Sequence, residues 1–193
     1  MREYIQDELL KTRSTFDRIA ADENIVAQVE KIARLSTDAL RAGNKILFAG
    51  NGGSAADAQH LAGELVSRLN FDRPGLAAFA LTTDSSVLTA IGNDYGFDKL
   101  FARQLNAVGV AGDVFFAIST SGRSPNVLNA LKEARRKSMI TVGLTGKTGG
   151  EMPPLCDYCL QIPSSETPKI QEGHIALGHI ICGLIERELF GGD

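Results

Sequence analysis

The chain has 193 residues, 44% of them hydrophobic and 22% charged, with a net charge of −3. That is enough for one soluble domain (residues 1–193) that buries a core without staples, and the slight acidity offers no footprint for nucleic acid. No apolar run reaches the roughly 18 residues of a membrane span, and the charged start MREYIQDELL is no signal peptide, so a cytoplasmic protein is expected.

Residues 1–42 read as a helical prefix of two amphipathic helices. Ile5, Leu9 and Phe16 mark the first, and Ile25, Val29, Ile32 and Ala33 form a cleaner stripe on the second. Gly43-Asn44 ends the pair as a left-handed cap would. The prefix is suited either to cover a sheet face or to meet a neighbouring subunit.

From residue 43 strands alternate with helices, the pattern of a doubly wound α/β fold with a five-stranded parallel sheet. Strands are expected near 45–49, 77–81, 113–118, 140–144 and 157–162, and helices near 54–68, 84–92, 97–108, 124–137 and 168–189. The runs Val114–Ile118 and Ile140–Leu144 are continuously apolar, as strands covered on both faces should be.

The first strand, Lys45–Ala49, breaks at Gly50-Asn51-Gly52-Gly53, where glycine allows a tight turn and a close approach to the backbone. Ser54 with Asp57 three residues on has the form of a helix cap. Strand, glycine turn and helix start together aim free N–H groups at one spot, a natural anion site. His60 and Glu64 follow at i and i+4 on one face of that helix, a pairing suited to proton transfer. The stretch Gly50-x-Gly52-x-x-Ala55 also satisfies a dinucleotide fingerprint. However, Asp72 precedes the second strand instead of closing it, and Asp84 comes too late.

A second anion cradle follows the third strand: Ser119-Thr120-Ser121-Gly122-Arg123-Ser124-Pro125. Ser124 before Pro125 is a strong helix start, and the hydroxyls of Ser119, Thr120, Ser121 and Ser124 would gather with its N–H groups around a phosphate. A flavodoxin-like strand order puts the first and third strands at the switch point, with both loops in one crevice. Cys156-x-x-Cys159 lacks a second pair and falls in an expected strand, where residues three apart face opposite ways. Buried thiols are therefore the expectation there.

The last helix is about 30 Å long and greasy, with Gln171 and His179 on roughly one face and His174 off it, read as structural or surface. Gln171 and His179 suit either a core network or, with His60 and Glu64, a four-ligand N/O site for zinc.

On these motifs the chain resembles the sugar-isomerase (SIS) family over essentially its full length. The carrying residues are Gly50–Ser54, His60-x-x-x-Glu64, Gly92-Asn93-Asp94, Ser119–Ser124, Leu144-Thr145-Gly146 and Ile170-Gln171-Glu172 with His179. Within the family it is similar to the phosphoheptose isomerases. That resemblance implies interconversion of sedoheptulose 7-phosphate and glycero-manno-heptose 7-phosphate, toward ADP- or GDP-heptose and lipopolysaccharide or other surface polysaccharide. It also implies a homotetramer with active sites between subunits, and one zinc per subunit. Asn51, Gly52, Gly53, Glu64, Asn93, Asp94, Ser119, Thr120, Ser121, Ser124 and Gln171 would hold substrate. Glu64 and His179 would be the catalytic pair, and His60, Glu64, Gln171 and His179 the metal ligands. The same fold also serves non-enzymatic adaptors that bind a replication initiator. Those keep much of the cradle but lack the full acid–base pair, whereas this chain has both Glu64 and His179.

Overall fold

Five short apolar runs set the architecture: β1 (Ile46–Gly50), β2 (Ala78–Ala80), β3 (Val114–Ile118), β4 (Ile140–Gly146) and β5 (Tyr158–Ile162). In the computed structural model, which describes residues 1–191, they form one parallel sheet in the order β2-β1-β3-β4-β5. This is the expected flavodoxin-like order, with β1 and β3 side by side. Among the described residues seven α-helices surround it: α1 (Arg2–Ala21), α2 (Glu23–Arg41), α3 (Gly53–Val66), α4 (Ser85–Tyr95), α5 (Leu100–Val108), α6 (Pro125–Arg136) and α7 (Thr167–Phe190).

The alternation of side chains along each strand explains why helices are needed on both faces. Phe48 and Phe116 point one way, stack on each other, and meet Ile32 of α2, Leu61 of α3 and Leu177 of α7. Leu47 and Phe115 point the other way, against Leu105 of α5 and Leu131 of α6. Among the described residues no helix is long and apolar enough to cross a membrane.

The two helices of the prefix differ in burial. On α2 the stripe Ile25, Val29, Ile32 and Ala33 is buried in the core, and Asp22 caps its start by accepting from the amides of Asn24 and Ile25. Gly43, at φ +83°, ends α2 in the expected left-handed turn, with Gly43 N–H donating to Leu40 and Asn44 N–H to Ala39. The first half of α1 is different. Ile5 and Leu9 remain exposed with Tyr4 and Leu10, so the apolar stripe read there is not buried by its own chain.

Candidate active site

Two loops at the carboxyl ends of β1 and β3 open side by side, as adjacent parallel strands require. After β1, Gly52 takes a positive φ of +56° and is itself the N-cap of α3. The helix therefore starts earlier than the Ser54–Asp57 pattern suggests. Ser54 is buried inside its first turn and Asp57 caps nothing, because the glycine turn has already redirected the chain. A Cβ at Gly53 would collide with the Gln171 amide of α7, whose side chain would have to shift. That contact brings Gln171 to the start of α3, beside Asn51 and Gly52.

After β3, Ser119 is buried and its hydroxyl lies 3.1 Å from that of Ser124. Ser124 is the N-cap residue of α6, with Pro125 behind it, but its hydroxyl bonds to Ser119 instead of capping the helix. Ser121 is exposed, and its oxygen accepts from the Arg123 amide. The loop is braced from behind by 146–151: Gly146 N–H donates to Thr120, and Glu151 N–H to Gly122. A side chain at Gly122 would strike the Gly149 carbonyl, which explains the glycine.

The two loops are tied together by a pair the sequence reading missed. Asn51 and Asn126 donate amide to carbonyl in both directions, at 2.9 and 2.8 Å. No motif marks Asn126; only its near-complete burial in the first turn of α6 betrays it.

Along α3, His60 and Glu64 face α7. Gly178 sits against Leu61, and a Cβ there would come within 2.6 Å of that side chain. The missing side chain lets the helices approach closely enough for His179, the next residue, to reach His60. Their Nε2 atoms are 2.7 Å apart, and His60 Nε2 is 3.0 Å from Glu64 Oε1. The ligand-type atoms of His60, Glu64 and His179 all lie within 4.8 Å of one another. Two imidazole nitrogens and a carboxylate at that spacing are a donor set suited to a divalent metal such as zinc. His60 is exposed, and His179 borders a cleft of about 420 Å³ with Asn70 and Arg187.

A second unforeseen network holds the far end of α3. The Arg73 guanidinium donates to the carbonyls of Glu64 and Leu65 and pairs with fully buried Glu186 of α7. Burial opposes the charge on Glu186. The amides of Leu69 and Asn70, the Asn70 side chain and Arg73 nevertheless hold its carboxyl below the usual range.

Asn93 and Asp94 lie exposed near the end of α4, where the Asn93 amide donates to Asp94, and α4 packs chiefly against α5 and the turn before it. His174 is wholly buried, the structural reading of that position, and burial pushes its imidazole down to about 4. A separate cleft of about 540 Å³ lies by β2, α4 and α5, lined mainly by apolar groups such as Phe79 and Val87, apart from this cluster.

The sequence profile of the SIS domain matches residues 11–146. The chain belongs to the SIS domain family. Within that family it is 57% identical to a phosphoheptose isomerase of Burkholderia pseudomallei, over 97% of this chain and 95% of that one. It is 56% identical to a phosphoheptose isomerase of Aneurinibacillus thermoaerophilus, covering 98% and 96%. The solved phosphoheptose isomerase of Neisseria gonorrhoeae superposes with a TM-score of 0.90 at 42% identity, covering 96% of this chain and 98% of that one. This SIS domain chain is thus an isomerase of the phosphoheptose isomerase group, and its paired loops and His–Glu–His cluster are the features of that fold with chemistry to offer.

Proposed function

We propose that this isomerase interconverts sedoheptulose 7-phosphate and D-glycero-manno-heptose 7-phosphate, supplying heptose for ADP- or GDP-linked precursors of lipopolysaccharide or other surface polysaccharide in the cytoplasm. The observation that carries the reading is the approach of His179 to His60 and Glu64 across α3 and α7. It gives a carboxylate and an imidazole beside two loops able to hold a phosphate.

In this reading the N–H groups at the starts of α3 and α6, with Ser119, Thr120, Ser121 and Ser124, grip the phosphate. Asn51, Gly52, Gly53 and Gln171 line the path to the reacting end. Anchoring the far end converts binding energy into orientation where bonds change. Glu64 removes the proton from the carbon next to the ketose carbonyl, and an enediol forms. Glu64 then returns the proton to the neighbouring carbon while His179 moves protons between the two oxygens. Asn93 and Asp94, exposed near the end of α4, would complete the contacts to substrate.

His60, Glu64, Gln171 and His179 would hold one zinc per subunit, which when bound would polarise the carbonyl. A metal-bound carboxylate is a weaker base, so Glu64 does not do both jobs at once. His60→Ala should lower zinc retention in elemental analysis while leaving the fold intact.

The whole chain acts as one unit, and exposed Tyr4, Ile5, Leu9 and Leu10 on α1 support a homotetramer that buries them and shares its sites between subunits. Sedimentation should give about four times the 20.6 kDa of one chain. Conversion of sedoheptulose 7-phosphate to the aldose by purified protein tests the activity directly; binding without turnover would favour the adaptor reading.

A further inference from the structure

Cys156 and Cys159 belong to neither loop nor to the His–Glu–His cluster. The expectation that they face opposite ways assumed that both lie in a strand, but β5 begins at Tyr158. Cys156 follows a short turn, Pro153–Leu155, and the chain bends at Asp157 before the strand starts. Asp157 is pinned there: its carboxylate accepts from the Thr141 amide and hydroxyl, each at 2.8 Å, and its own amide donates to the Thr141 carbonyl.

That bend turns both sulfurs onto one point of β4. A Cβ on Gly143 would lie 2.8 Å from the Cys156 sulfur and 3.1 Å from the Cys159 sulfur. Both would intrude on any side chain there, so the glycine makes the space in which the thiols meet. Both remain free, and neither is fully buried. They border an open cleft of about 380 Å³, lined also by Gln28, Pro153 and Gln161. A small molecule can therefore reach them.

A metal is the poorer occupant. Among the described residues, His60, Glu64 and His179 form the one cluster of three or more metal-type side chains, so the two sulfurs have no further ligands to close a zinc site. The geometry points to a redox-active dithiol: Cys156 and Cys159 are converted to an intrachain disulfide by a small-molecule disulfide.

The closeness of the two thiols at Gly143 makes them unequal. It holds the Cys159 thiol below its ordinary range and, with burial, pushes Cys156 up. The thiolate is the attacking species, so Cys159 is the better nucleophile. Its sulfur bonds to one sulfur of the small disulfide, whose S–S bond breaks and releases one small thiol. The Cys156 sulfur then displaces the second small thiol from Cys159 as the intrachain S–S bond forms. Two protein thiols lose two electrons, the small disulfide gains them, and the two thiol protons end on the released thiols. In a reducing compartment the bond would be transient, as redox-sensing disulfides are.

Cys182 supplies an internal control: it is buried, and burial pushes its thiol up to about 12. The native protein is incubated with oxidised glutathione at neutral pH, quenched with an alkylating agent and digested with trypsin. The peptide spanning 148–169 carries both cysteines. It should be recovered unalkylated and lighter by two hydrogens, and dithiothreitol should restore two alkylatable thiols, with Cys182 unchanged throughout. Cys156→Ser should stop at a stable mixed disulfide on Cys159, and Cys159→Ser should leave Cys156 a free thiol over the same period. If the wild-type peptide keeps both thiols, carries glutathione that never resolves, or pairs between chains, the proposal is overturned. The wild-type measurement decides this even if a variant misfolds.

Discussion

Asn51 and Asn126, 75 positions apart, exchange two amide hydrogen bonds and so fasten the loop after β1 to the first turn of α6. Each amide satisfies the other. Asn126→Ala would strand the half-buried Asn51 amide without its partner. A stability loss of about 1–3 kcal/mol is expected from the desolvated group, read as a lower urea midpoint. The two loops would also lose their common position, so KM for the sugar phosphate should rise more than kcat falls. Unchanged KM would mean that the loops hold their places without this pair.

Ser124→Ala separates two roles that the sequence could not. Ser124 before Pro125 looks like a helix cap, yet its hydroxyl bonds to Ser119. The substitution should therefore lower the denaturation midpoint only through the partner lost by buried Ser119, and not through a lost cap. It removes one donor from a charged phosphate, so binding should weaken by about 1.5–3 kcal/mol. Inorganic phosphate competing with the substrate should lose affinity in the same proportion. A variant that unfolds earlier but binds normally would reverse this assignment.

His174 should make stability depend on pH. Burial lowers its folded pKa from 6.5 to about 4. Between those values the unfolded chain takes up a proton that the folded chain refuses, so stability falls as pH drops from about 6.5 toward 4. Two sets of groups act differently. The depressed carboxylates, such as Asp113 and Glu186, give stability above their unfolded values and lose it only at lower pH. Burial raises Asp57, which opposes the trend. Thermal melts across pH 4–7 should show a rising midpoint in the wild type and a flatter one in His174→Gln. Equal slopes in both proteins would assign the dependence elsewhere.

The fold was legible because its signals are local and agree with one another. Continuous runs such as Val114–Ile118 need cover on both faces, and Gly43, the Gly50–Gly53 turn and Ser124-Pro125 interrupt the chain where the elements change. The failures came from the same local reading. The Ser54–Asp57 pattern has the form of a cap, yet the positive φ of Gly52 starts the helix first. The cysteines were assigned to a strand that begins two residues after the first of them. Asn126, Arg73 and Glu186 carry no pattern, since their partners lie across the fold. His60, Glu64 and His179 were foreseeable as faces of helices, but their meeting depends on how closely Gly178 lets α7 approach Leu61.

Glu64→Gln is the sharpest test of the proposed chemistry. It keeps the size of the side chain and most of its hydrogen bonding but removes the base. Turnover should fall by a factor of about 10²–10⁴, the usual worth of a positioned acid or base. His179→Gln should be disabled to a similar degree. The double variant should be little worse than either, because groups that act as one unit are not additive. Phosphate binding should survive in all three, since the serine loop belongs to β3 and α6 and not to α3. Proton exchange separates a lost base from lost metal. In heavy water the wild type should wash deuterium into C1 of the ketose and C2 of the aldose, as followed by NMR. Zinc-loaded Glu64→Gln should not, even at full metal content. Exchange at the wild-type rate in that variant would move the base to another residue, and His179, 2.7 Å from His60, would be the first to examine.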